Sequence, residues 1–184
     1  TTPMTMRKDA GVAAARIVSS LDDMARALQG SVATVGTILF EPNAINVIPS
    51  SATITVDLRN PDEQRLQALE RGFDDLLEDV RARGFEVSCE RLARFQPVIF
   101  DASLVEMIER AAAERQIKSR RMTSGAGHDA QMIARVAPAA MIFVPSRHGI
   151  SHNPAEFVTV EDMGAAVEGL VEAILALARQ EEAR

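Results

Sequence analysis

Two histidines bracket a Gly-Ile-Ser turn in HGISHNPAE, residues 148–156, and the whole chain holds only three. A neutral imidazole ligates metals and titrates near physiological pH, so His148 or His152 could each supply one corner of a metal site. The stretch does not make a self-contained centre. Cys89 is the only cysteine, and Pro154 stands between His152 and Glu156, which argues against a helical pair of ligands. On spacing alone, a surface loop with solvated imidazoles explains the stretch better. The third histidine sits in TSGAGHDA, residues 123–130, where Gly125 and Gly127 precede His128 and Asp129 at the start of an expected helix. Free N–H groups there favour an anion or a polarised oxygen, which suits a substrate-contacting His128. The plainer reading is that Asp129 complements the helix dipole while His128 faces solvent. Upstream, Asn43 and Asn46 flank a turn and Arg59 ends TVDLR. A guanidinium can fork onto a carboxylate, and an Asn amide can both donate and accept. The competing structural reading pairs Arg59 with Asp57, Asp62 or Glu63 and gives Asn46 an Asx turn; on these residues alone it leads.

These candidates depend on the elements that carry them. Val12, Ala15, Ile17, Leu21, Met24 and Leu28 recur at helical spacing and predict a helix over 7–28 that Gly30 stops. Residues 32–40 are rich in Val, Thr, Ile and Phe, and 51–58 alternate apolar with polar, so both read as strands. A second helix is expected over 61–83, with Pro61 in its first turn, Asn60 as its cap and Gly84 as its end. Residues 85–92 alternate again, and Cys89 within them reads as packing. The order helix, strand, strand, helix, strand is that of a split β-α-β module short of its opening strand. Past Gln96-Pro97 the pattern changes, which places a boundary near Val98. Helices are expected over 102–116, 128–136 and 160–179. Between the last two, residues 139–144 form one apolar strand suited to the interior of a helix-covered sheet.

Composition narrows the function. The chain has 184 residues, 47% of them apolar, enough to bury a core. A net charge of -6, with neither Trp nor Tyr and no basic block, leaves no footprint for nucleic acid. Neither a membrane-length apolar run nor a secretory signal is visible, so a cytoplasmic setting is the default.

Four stretches, TTPMTMRKDAG, TVGTILFEPNAINVIPSSATITVDLRNPD, TSGAGHDAQMIA and MIFVPSRHGISHNPAEFVTVEDM, together resemble the hydantoinase/carbamoylase family of metal-dependent amidohydrolases. The likeness runs in order along nearly the whole chain but covers only the second half to three-fifths of that family. It implies an α/β protein in two parts. Residues 1–97 correspond to a lid and dimerisation domain, a ferredoxin-like β-α-β-β-α-β unit lacking its first strand. Residues 98–184 correspond to the C-terminal part of a helix-covered, zinc-exopeptidase-like catalytic domain. It further implies two divalent ions, zinc, manganese, cobalt or nickel, whose bridging water attacks the carbamoyl carbon of an N-carbamoyl-L-amino acid or related ureido acid.

By the same resemblance His152 is a metal ligand, and His128, Asn46 and Arg59 bind substrate, the last two at its carboxylate. No role is implied for His148. The remaining ligands and the general-base glutamate are expected before the lid, and the lid histidine of an HAG motif would fall just before Thr1. The segment alone is therefore expected to be inactive and to bind no metal. Homodimerisation is expected through strand 32–40 and helix 7–28. Two rivals stay open: a metallopeptidase or aminoacylase of the same plan, and a non-catalytic dimerisation module.

Overall fold

Helix α1, Ala10–Ala27, starts where the Asp9 carboxylate accepts the Val12 N–H at 3.1 Å, and Ala14, Ile17 and Leu21 form its buried stripe. A computed structural model of the chain describes residues 2–182, with side chains described to 179. Thr1 and residues 183–184, which close the two expected domains, lie outside the described residues. The chain divides into two compact units, Thr1–Pro97 and Val98–Arg184.

In the first unit, α1 leads into an antiparallel pair, β1 (Val32–Glu41) and β2 (Ser51–Arg59), in register from Val32 opposite Arg59 to Glu41 opposite Ser51. A bulge between Val35 and Thr37 leaves Gly36 unpaired, and the Thr37 N–H there donates to Thr55 Oγ1 at 3.1 Å. Strand β2 alternates strictly, with Ile54, Val56 and Leu58 turned toward the helices. Helix α2, Glu63–Ala82, adds Leu77 and Val80 to the Ile17 and Leu21 cluster, and Gly84 follows at φ 86°.

Asn60 does not cap α2 as expected. Asp62 does, accepting the Arg65 N–H at 2.9 Å, and Pro61 lies before the helix. Asn60 is instead buried, donating to the Gln29 carbonyl and Ser31 Oγ while accepting the Asp62 N–H, so it ties the end of α1 to the start of α2.

The expected strand at 85–92 is absent among the described residues. Phe85 and Val87 still pack on the core, but no strand pairs with the segment, and the Val87 carbonyl is taken by the Arg81 guanidinium at 2.9 Å. Cys89 is exposed rather than packed. A two-stranded sheet under two helices is therefore what is seen of the expected five-element module.

The second unit is helical. Helix α3, Ala102–Glu114, is capped by Asp101, which accepts the Leu104 N–H at 2.9 Å. It packs Met107 and Ala111 against Ala173 of α5, Val160–Glu182. The helix expected over 128–136 shortens to α4, Ala130–Ile133. Residues 139–144 form no ladder, and Ile142 and Phe143 keep about two-fifths of their surface. A strand needs a neighbour for its N–H and C=O groups, and none lies beside this one among the described residues.

Candidate functional site

The loop carrying His148 and His152 is closed at its base. The Arg147 N–H donates to the Phe157 carbonyl at 2.8 Å, and the Arg147 guanidinium lies 4.2 Å from the centre of the Phe157 ring. Ser146 Oγ donates to the Ile150 carbonyl. Inside this frame the backbone turns left-handed at His148, Gly149 and His152, with φ of 58°, 69° and 56°. For His152 that conformation is uncommon and is held by a partner: its N–H donates to Glu156 Oε2 at 2.8 Å. The expected doubt about a helical His152 and Glu156 pair is met by this geometry, because the carboxylate binds the backbone of His152. The His152 side chain is exposed.

His128 is half-buried at the end of the glycine turn. Its Nε2 lies 3.2 Å from Ser124 Oγ, and its ring meets Phe143 edge to face with centroids 5.7 Å apart. Asp129 makes no capping bond to the short α4 behind it. Neither Ser124 nor Phe143 was singled out from the sequence. The available signal was a hydroxyl four residues before His128 across two glycines.

In the first unit Asn46 sits in an exposed turn between β1 and β2, beside the left-handed Asn43. Arg59 ends β2 and forks onto Asp57, with Nε to Oδ1 at 2.7 Å and Nη2 to Oδ2 at 2.8 Å. This is the pairing that the competing structural reading anticipates. The hydrogen bond from Arg59 holds the Asp57 carboxyl below the usual carboxylate range and raises the guanidinium in return. Both side chains remain about half exposed, so the pair is screened and presents its charges to solvent.

Asn46 and Arg59 thus belong to one unit, His128 and His152 to the other. Among the described residues no group of three or more His, Cys, Asp and Glu could hold a metal ion. An exposed imidazole on a braced turn is a group able to supply one corner of a metal site, and among the described residues no further ligands gather around His152.

The comparisons with known proteins agree with one another. The model for peptidase family M20/M25/M40 matches residues 6–176. N-carbamoyl-L-amino-acid amidohydrolase of Rhizobium meliloti is 39% identical over 95% of this chain and 42% of its own length. Allantoate amidohydrolase of Bacillus subtilis (strain 168) is 34% identical over 97% of this chain and 44% of its own. Among solved structures, an amidase of the hydantoinase/carbamoylase family from Burkholderia multivorans superposes with a TM-score of 0.88 at 37% identity, over 95% of this chain and 43% of that one. The chain therefore spans less than half the length of the relatives it matches. With the family model matched along nearly all of it, and with the likeness to hydantoinase/carbamoylase enzymes found again in sequence and in structure, the chain belongs to peptidase family M20/M25/M40.

Proposed function

We propose that this chain is the lid and the C-terminal part of the catalytic domain of a dinuclear-metal amidohydrolase, one that cleaves the carbamoyl or ureido C–N bond of N-carbamoyl-L-amino acids or related ureido acids. The observation that carries the reading is the GISH turn, whose backbone is braced at both ends while the His152 imidazole is left exposed. Apolar surface supports the same view. Residues 139–144 and the stripe Met163, Val167, Leu170, Ile174 and Leu177 of α5 need an opposing face, and the relatives are more than twice as long.

In this reading His152 is one ligand, His128 touches the substrate, and Asn46 and Arg59 hold its carboxylate. Arg59 then exchanges Asp57 for the substrate, keeping a two-pronged, charge-assisted contact. Two divalent ions, when bound, supply an activated water and stabilise charge on the attacked carbonyl. With one ligand present, this segment by itself binds no such ion tightly and is inactive.

A homodimer through β1 belongs to the same proposal. One edge of β1 faces no strand among the described residues, 32–40 carry neither charge nor proline, and Ile38 and Leu39 are exposed. Thr37 is a poor place for a test proline, since its N–H already serves Thr55. Ile38→Lys should instead give monomers by light scattering; an unchanged mass, or a dimer held by residues 98–184, refutes this interface.

The catalytic reading is tested in the protein with its complete ligand set. His152→Ala should lower metal content and abolish ammonia release from an N-carbamoyl-L-amino acid; normal metal occupancy overturns the ligand assignment. The family model's description as peptidases favours peptide hydrolysis as the second reading. Faster turnover of a dipeptide than of the carbamoyl compound decides for it.

A further inference from the structure

We propose that Ser124 is a positioning residue: it holds His128 in the Nε2–H tautomer, and so leaves Nδ1 as an acceptor for an N–H of the substrate. The proposal rests on the reading of His128 as a substrate contact and adds which substrate atom it meets.

Three groups crowd Ser124 Oγ: the Ala126 N–H at 3.2 Å, the Ala126 carbonyl at 3.3 Å and His128 Nε2 at 3.2 Å. A hydroxyl has one hydrogen to give and two lone pairs to offer. The Ala126 N–H can only donate and the Ala126 carbonyl can only accept. If the Ser124 hydrogen goes to the carbonyl, both lone pairs are free, and they receive the Ala126 N–H and the His128 Nε2–H. Every contact is then satisfied at once. If the hydrogen goes to Nε2 instead, the Ala126 carbonyl faces a lone pair of the hydroxyl with nothing between them. The first arrangement wins, and the hydrogen-bond network thereby assigns the tautomer.

The ring has little freedom to escape this arrangement, since Phe143 lies edge to face against it, and the residue's backbone N–H is held by Gln131 Oε1 at 3.4 Å. Nδ1 has no hydrogen-bond partner among the described residues, and His128 is only half-buried. In a neutral ring that atom is a bare acceptor. It selects amide or ureido N–H groups and gives nothing to a carbonyl or carboxylate oxygen.

The tautomer is read by long-range proton–nitrogen NMR on the 15N-histidine-labelled full-length protein, with His128 assigned through His128→Gln. The expected result is a single tautomer, with Nε2 protonated and Nδ1 bare, where exposed His148 shows a mixture. Ser124→Ala should relax His128 to that mixture, and Ser124→Thr, which keeps the hydroxyl, should restore the single form. In turnover, Ser124→Ala should lower kcat/KM by about three- to tenfold, mainly through KM, with Thr recovering most of it. An Nδ1–H tautomer in the unmodified protein, or a mixture that Ser124→Ala does not change, overturns the proposal. The spectrum of the unmodified protein is sufficient for the first of these outcomes, so the test does not depend on how well a variant folds. The NMR arm uses no substrate and therefore stands apart from the reading of His128 as a substrate contact, which fails if His128→Ala leaves kcat/KM unchanged.

Discussion

The two units carry the same kind of apolar periodicity and use it differently. In residues 1–97 the stripes of α1 and α2 meet each other and the inner face of β1 and β2, so Leu21 and Leu69 are left with 1% of their surface. In 98–184 the buried cluster among the described residues is Met107, Ala111 and Ala173, with Ile108 and Ala176 against it, while α5 leaves a second apolar stripe exposed. Periodicity therefore states which face a helix would bury; whether the face is buried depends on an opposing element. His128 and His152 lie on turns of the thinner unit, the first held by Ser124 and Phe143 and the second by Glu156.

The largest expected effect tests that contrast directly. Leu69→Ala removes a fully buried side chain and should cost about 3 kcal/mol of folding stability, as urea denaturation would measure. Leu170→Ala, on the exposed stripe of α5, should cost less than about 1 kcal/mol in the same chain. Equal losses would break the comparison, because the stripe would then be covered in solution.

A smaller effect sharpens it inside the first unit. The segment after α2, which forms no strand, is tied down by Arg94: its guanidinium donates to Glu63 Oε1 at 2.6 Å and to Glu70 at 3.0 and 3.2 Å. The hydrogen bond from Arg94, aided by Gln67, holds the Glu63 carboxyl below its ordinary range, and both carboxylates raise the Arg94 guanidinium. A carboxyl lowered in the folded state stabilises above its unfolded value and stops doing so as pH falls through its folded value. Resistance of residues 85–97 to limited proteolysis should thus persist at neutral pH and be lost in acid, below the usual carboxylate range, where pepsin can be used to read it. Arg94→Met should remove that resistance at neutral pH as well. Resistance that ignores both changes would mean the segment is held by Phe85 and Val87 alone.

What could be read from the sequence follows from how local each signal is. The long helices, α1, α2, α3 and α5, and the two paired strands were legible because spacing and flanking residues settle them within a few turns of chain. The sheet positions at 85–92 and 139–144 were not, because alternation marks a segment able to pair and says nothing of a neighbour to pair with. The cap of α2 went astray by two residues: Asn60 and Asp62 both suit the role, and only the distant Gln29 and Ser31 decide between them. At the site, the histidines were legible as residue types. The bonds that orient them were not, since Ser124 gains meaning only when the glycine turn folds back and Glu156 only when its carboxylate reaches a left-handed backbone.

The smallest effect on stability concerns Arg59, at the end of β2. Its fork onto Asp57 is half exposed, so solvent screening leaves the pair worth no more than about 0.5 kcal/mol to folding, and Asp57→Asn should move stability by about that much or less. A residue with only this structural duty would be equally quiet in turnover. If Arg59 instead trades Asp57 for a substrate carboxylate, Arg59→Lys keeps the charge but loses the second prong, and kcat/KM in the complete enzyme should fall by more than about tenfold. Asp57→Asn sharpens the point: it frees the guanidinium from a competing carboxylate, so it should leave KM unchanged or lower it. Two silent variants would return Arg59 to a surface ion pair and move the search for the carboxylate grip elsewhere on the lid.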